Sequence, residues 1–241
     1  MTDRTAPEAK QGTSRRAFSA ATALVGALVV WRLTLYNLQP YAIWSAPAQL
    51  QLRTWEEYLL VNITGLILIP SVLHFLWLRT TPQRMGFGPA NRYGWRAALI
   101  ALMVMLPVLV VAARFPAFQA YYPIQPMAGY SWRYLVYFEL TYGAYMFAWE
   151  WFYRGFLTFG LARGFGATAA VVTQAAAFGI MHYGKPPAEM AGSFIAGIAL
   201  GSLALRGRSF LPCFALHWVV SILFDLLVLA WRPGSLSVLR M

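Results

Sequence analysis

The sequence predicts an all-α membrane protein, a bundle of seven to eight transmembrane helices around a polar intramembrane cavity. Three observations carry that prediction. First, 59% of the 241 residues are hydrophobic and only 11% are charged, against about 25% charged in an average soluble domain. The mean hydropathy is +0.54. Such a chain cannot cover a surface facing water, which excludes a soluble enzyme and a disordered protein. Second, apolar runs long enough for a bilayer core of about 30 Å recur along the chain. Third, runs such as 97–111 do not alternate polar with apolar, as barrel strands would. Helices, which satisfy their backbone within the segment, remain. The ten Trp among 16% aromatics fit two lipid–water interfaces.

Taken in order, residues 1–16 are polar and read as a disordered cytoplasmic tail. Spans are expected at 17–38, 57–78, 97–114, 131–153, 167–182, 188–205 and 210–230. A short amphipathic piece at roughly 151–163 extends the fourth. The stretches 79–96 and 115–130 are the main loops, and 231–241 is a short tail. The chain thus divides into the tail, N-terminal transmembrane helices (17–130), helices carrying the polar residues (131–230) and the end. Small residues form a stripe at Gly192, Gly197 and Gly201, where a helix can pack closely on a neighbour.

The net charge of +11 is scattered between apolar runs. It reads as topology and headgroup contact rather than nucleic-acid binding. Arg4, Lys10, Arg15 and Arg16, then Arg79, Arg84, Arg92 and Arg96, then Arg206 and Arg208 all fall on one side if the spans alternate. That side is the cytoplasm, so the N-terminus is expected there. Only Lys10 and Lys185 break the arginine monopoly among nineteen cations, a skew typical of a GC-rich genome. A multi-pass protein of a bacterial plasma membrane is the expectation. Cys213 has no second cysteine to pair with and reads as core.

Charges inside a bilayer cost ~2.5–3.5 kcal/mol each, so each needs a reason. Glu139, Glu150, Glu189 and Asp225 lie in or near apolar segments, as do His74, His182 and His217. Glu150 and Arg154 are four apart and can pair on one helix face. His217 and Ser221 are one turn apart and can face one atom, with Asp225 a further turn along. Asp225 either orients His217, sits beside the cavity or is an interfacial charge. Glu189 either neutralises Lys185 in the first turn of a helix opened by Pro187 or serves as a carboxylate for His182. Glu139 shares a face with Glu150 and lines the same cavity, whereas His74, close to Arg79, reads as interfacial.

These residues carry a resemblance. Trp149-Glu150-Trp151-Phe152-Tyr153-Arg154-Gly155 resembles the E-E-x-x-x-R motif of the CPBP intramembrane proteases, the family of CAAX prenyl proteases and bacteriocin-processing Abi proteins. Phe178-x-x-x-His182 resembles its second motif and His217-x-x-x-Ser221 its third, usually H-x-x-x-N. The order and spacing agree over about 130–230. The resemblance implies a glutamic-type intramembrane endopeptidase acting on a membrane-associated protein or peptide, without cofactor or metal. Glu150 and His182 would activate the water. His217 and Ser221 would face the oxyanion, and Arg154, with Asp225 and Glu189 in support, would orient the site. Two positions depart from the pattern: Trp149 stands where the first glutamate is usual, and Ser221 where Asn is usual. The first departure leaves open a catalytically inactive membrane scaffold that binds protein partners. Zinc held by Glu150, His182 and His217 is a further alternative, though H-E-x-x-H is absent, and so is a transporter using these residues as relays.

Strict alternation of seven spans puts Glu150 near one membrane face and His182 near the other. A broken or re-entrant helix among Gly155, Gly160, Gly164 and Gly166 is therefore expected to bring them level.

Overall fold

The structure, a computed structural model, describes residues 5–42 and 54–232, with side chains from residue 14 and, in the first helix, up to residue 38. Eight helices and short turns make up these residues, with no strand among them. Helix α1 is Thr5–Ala42. Residues 5–16, expected as a disordered tail, are its first turns, while 1–4 and 233–241 lie outside the described residues. Helix α2, Trp55–Trp77, is capped by the Thr54 hydroxyl, which accepts from the Glu57 amide at 3.1 Å. Pro70 removes a backbone donor inside it, and wide π-type turns at Thr64–Leu68 and Val72–Trp77 flank that site. Helix α3, Arg92–Ala112, begins at Asn91, whose carbonyl accepts from the Gly94 amide at 2.9 Å. The Asn91 amide donates to the Arg206 carbonyl at 2.8 Å and ties α3 to a later turn.

After the short α4, Pro116–Tyr121, helix α5 runs over 132–165. It is α-helical over Trp132–Glu150, π-wound over Trp151–Phe159 and α-helical again over Gly160–Phe165. Helices α6, Ala167–Ile180, α7, Pro187–Gly207, and α8, Leu211–Trp231, complete the bundle. Five helices are long and apolar enough to cross a membrane: α1 (over Ser14–Leu38), α2, α3, α7 and α8. The expected spans at 131–153 and 167–182 are not among them. Helix α6 has only 14 residues, and α5 carries Glu139, Glu150 and Arg154. Helix α5 tolerates those charges because protein surrounds it: Phe138, Phe152, Tyr153 and Phe156 are fully buried. Helix α3 shows the opposite pattern, exposing Leu99, Ile100, Val104 and Val108 as a lipid-facing helix does. The protein is a multi-pass helical membrane bundle.

The expected break falls at the last of the four glycines: helix α5 continues to Phe165, and the chain reverses at Gly166, whose φ of 85° suits glycine. Glu150 lies sixteen residues before Gly166 and His182 sixteen after it. The two come level because α5 overshoots Glu150 as far as this turn and the chain returns by the same number of residues. The last turns of α5 pack against α1 at the arginine-rich end of the bundle.

Helices α6 and α7 pack closely along each other, and the glycine stripe is part of the reason. A Cβ on Gly197 would meet the Ala175 Cα at 2.8 Å, and one on Gly201 the Gln174 amide at 2.4 Å. Gly192 has open space around it, so the stripe is two residues rather than three. Gly197→Val is expected to cost about 1–3 kcal/mol, since backbone cannot yield to the added methyls. Gly192→Ala is expected to be neutral or stabilising. Thermal unfolding in detergent reads both, and equal effects would refute the close α6–α7 contact.

Candidate active site

Three elements converge: the middle of α5, the end of α6 and the first half of α8. Glu150 and Arg154, one turn apart on α5, are both fully buried. The Arg154 Nη1 donates to Glu150 Oε1 at 3.1 Å, and His217 Nδ1 approaches the same oxygen at 2.7 Å. An ionised carboxylate only accepts, so with Glu150 ionised the His217 Nδ1 carries the proton and Nε2 becomes the working nitrogen. Glu150 Oε2 and the Arg154 Nε and Nη2 have no hydrogen-bond partner. The carboxylate therefore keeps free acceptor capacity inside the bundle. The Arg154 guanidinium lies over the Phe178 ring at 4.1 Å, a second interaction compensating its burial.

His182 follows α6 in the turn toward α7. Its Nδ1 lies 2.8 Å from the Phe178 carbonyl, which only accepts, so that nitrogen bears the proton. Nε2 then carries a lone pair, which is the form a base requires. The structure brings Glu150 to His217, on α8, rather than into contact with His182. Beside His182 stands Trp149, with ring centroids 5.6 Å apart and the planes at 83°. A residue one position from Glu150 is rotated by about 100° around α5. Trp149 thus faces the α6 turn while Glu150 faces α8. Its indole N–H is buried without a partner.

Phe178, which opens the second motif, has a packing role that the motif does not display. Its ring is 4.5 Å from His182, 6.0 Å from His217, 5.9 Å from Trp149 and 5.2 Å from Tyr153. With Arg154 over its face, it packs against groups from all three elements. Its position four residues before His182, hence on the same helix face, was the available signal.

Other expected site residues are placed differently. Ser221 donates its hydroxyl proton to the His217 carbonyl at 3.0 Å, so the proton expected for an oxyanion is already engaged by its own helix. Asp225 is 1% exposed and faces Glu139 across the α5–α8 contact, inside the bundle. Glu139 is buried, its carboxyl oxygens lacking a partner of clear donor type. Glu189 accepts from Lys185 Nζ at 2.8 Å and from the Tyr122 hydroxyl at 2.7 Å. Burial, and then the facing Glu189 carboxylate, push the Tyr122 hydroxyl well above its ordinary range, which keeps it a donor. Glu189 is therefore part of a neutralised cluster where α7 begins.

His74 is fully buried inside the bundle. It sits between the rings of Phe18 and Phe156 at 5.0 and 4.5 Å. The Thr22 hydroxyl gives its proton to the Phe18 carbonyl, so His74 Nε2, 2.9 Å away, donates to Thr22. Cys213 is buried in the core, as expected, with its thiol near the Leu200 carbonyl. Among the described residues no group of three or more His, Cys, Asp and Glu side chains is arranged to hold a metal ion.

Residues 130–223 match the family model described as Type II CAAX prenyl endopeptidase Rce1-like. No curated protein and no solved structure matches the chain. The matched stretch runs from just before α5 into α8 and holds all three motifs. The stretch is similar to the CAAX-protease (CPBP) family that its residues resemble, and it covers less than half of the chain.

Proposed function

We propose that the protein is an intramembrane endopeptidase that hydrolyses a peptide bond of a membrane-associated protein or peptide. One observation carries this reading. The buried Glu150 holds His217 by its Nδ1 and keeps a free oxygen, beside a His182 whose Nε2 is left basic. A purely structural ion pair would need neither histidine.

In this reading His182 Nε2 takes a proton from a water whose oxygen attacks the scissile carbonyl carbon. Glu150 Oε2 is the second acceptor available to that water. As the tetrahedral oxyanion forms, a protonated His217 donates to it from Nε2, its positive charge balanced by Glu150. The proton on His182 then passes to the leaving amine and the C–N bond breaks. General-base assistance of this kind contributes about 10²–10⁴-fold. Arg154 fixes the Glu150 rotamer. Ser221 is not required as a donor, since His217 and the free Trp149 indole N–H supply two.

The test is comparative membrane proteomics of a deletion strain complemented with wild type, Glu150→Gln or His217→Ala. A terminal fragment of a membrane protein present only with wild type is the expected result, and it names the substrate. Identical fragments in all strains would overturn the reading. If the abundance of co-purifying membrane proteins changed instead, the inactive scaffold that Trp149 favours would replace it.

A further inference from the structure

At the arginine-rich end, about as far from Glu150 as α5 reaches, a cleft of about 610 Å³ is lined by Ser14, Arg15, Arg84, Met85, Phe159 and Arg163. The fold itself brings the three arginines together. A Cβ on Gly164 would lie 2.4 Å from the Arg15 carbonyl oxygen, so α1 and α5 cross here at backbone contact. The Ser19 hydroxyl, donating to the Gly160 carbonyl at 2.7 Å, fastens that crossing. The Phe18 ring lies under the Arg163 guanidinium at 4.5 Å and holds it in place. Gly86, with φ 74°, sets the turn bearing Arg84 against Phe159. Arg163 is within electrostatic reach of both Arg84 and Arg15. Yet among the described residues none of the three pairs with a carboxylate. Three cations held together with no described carboxylate paired to them repel one another, and an anion relieves that repulsion.

We propose that this cleft binds the phosphate of an anionic phospholipid. The chemistry is that of a phosphate ester, which guanidinium forks grip through paired hydrogen bonds. Ser14 adds a hydroxyl donor. A lipid rather than a soluble ester is favoured by Met85 and Phe159, apolar groups in the same cleft that suit the glycerol and first methylenes. Its place at the start of the membrane-length part of α1, Ser14–Leu38, points the same way.

The full-length protein is reconstituted in phosphatidylcholine nanodiscs doped with phosphatidylglycerol, extracted in mild detergent and weighed by native mass spectrometry. Wild type is expected to retain phosphatidylglycerol. Arg15→Gln/Arg163→Gln is expected to retain roughly tenfold less or lower still. Arg206→Gln/Arg208→Gln removes the same charge from the same end, outside the cleft, and is expected to retain wild-type amounts. Equal losses in both pairs would overturn the site in favour of diffuse surface attraction. Equal retention in all three would overturn it outright. Arg163→Lys, which keeps the charge and loses the fork, is expected to fall between wild type and the double variant, and guards against misfolding of the latter. Inorganic phosphate and glycerol 3-phosphate are titrated separately. Stabilisation by either at concentrations matching the lipid would overturn the lipid in favour of a soluble ester.

Discussion

Arg154→Met is expected to lower stability by about 3 kcal/mol, the low end of what breaking a buried pair costs. The low end applies because Glu150 loses one of two partners. His217 Nδ1, at 2.7 Å, still hydrogen-bonds it. Arg154 also gives up its place over Phe178, but methionine fills part of that volume and retains contact with the ring. The double variant Glu150→Gln/Arg154→Met removes both charges and is expected to recover most of the loss, since no buried charge is then left without its partner. It is expected to stay inactive in the proteomic comparison. Thermal midpoints in detergent, converted through denaturant unfolding, decide the matter. If Arg154→Met matched wild type in stability, Arg154 would not be what compensates the burial of Glu150.

The architecture was legible because bilayer physics writes itself into composition. Runs such as 210–230 leave a helix little alternative, and Leu211–Trp231 is what forms. The conflict over depth arose from a hidden assumption, that each helix stops where the bilayer does. Helix α5 ignores that limit. Its amphipathic extension at 151–163 was visible in the sequence, but the length by which it overshoots depends on α1 packing beside it, through Gly160 and Gly164. No local pattern encodes a contact between residues 141 positions apart, such as Ser19 with Gly160.

At the site, spacing within one helix was readable and contact between helices was not. The four-residue interval of Glu150 and Arg154 gave the pair directly. That Glu150 also holds His217 depends on how α5 and α8 cross. The hydrogen bond of Ser221 is hidden in the motif because a hydroxyl in a helix has a local competitor, the carbonyl four residues back. The burial of His74 is hidden for a related reason. Its neighbour Arg79 is close in sequence, but its hydrogen-bond partner Thr22 is on another helix. Trp149 is the position where the motif departs. The structure adds that its ring fills the place beside His182 with an apolar face and a single unpartnered donor.

His182→Gln is expected to reduce cleavage of the identified substrate by about 10²–10⁴-fold while leaving the thermal midpoint nearly unchanged. The two parts of that expectation have separate causes. His182 is 4% exposed and its Nδ1–H meets the Phe178 carbonyl, so the position needs a donor of similar reach. A glutamine amide supplies one and leaves no buried carbonyl orphaned. What glutamine lacks is a basic nitrogen, and the proton of the attacking water then has only Glu150 Oε2 as acceptor. A loss of activity with a retained fold therefore reports proton transfer rather than packing. The pH profile separates it further. The rate supported by wild type should fall at low pH, where His182 Nε2 is occupied by a proton, and the residual rate of the variant should lose that limb. Added imidazole is expected to restore part of the activity of His182→Gly, which opens space for it beside Trp149 and Phe178. A His182→Gln protein that cleaved at the wild-type rate would remove His182 from the chemistry and leave Glu150 as the only base the site contains.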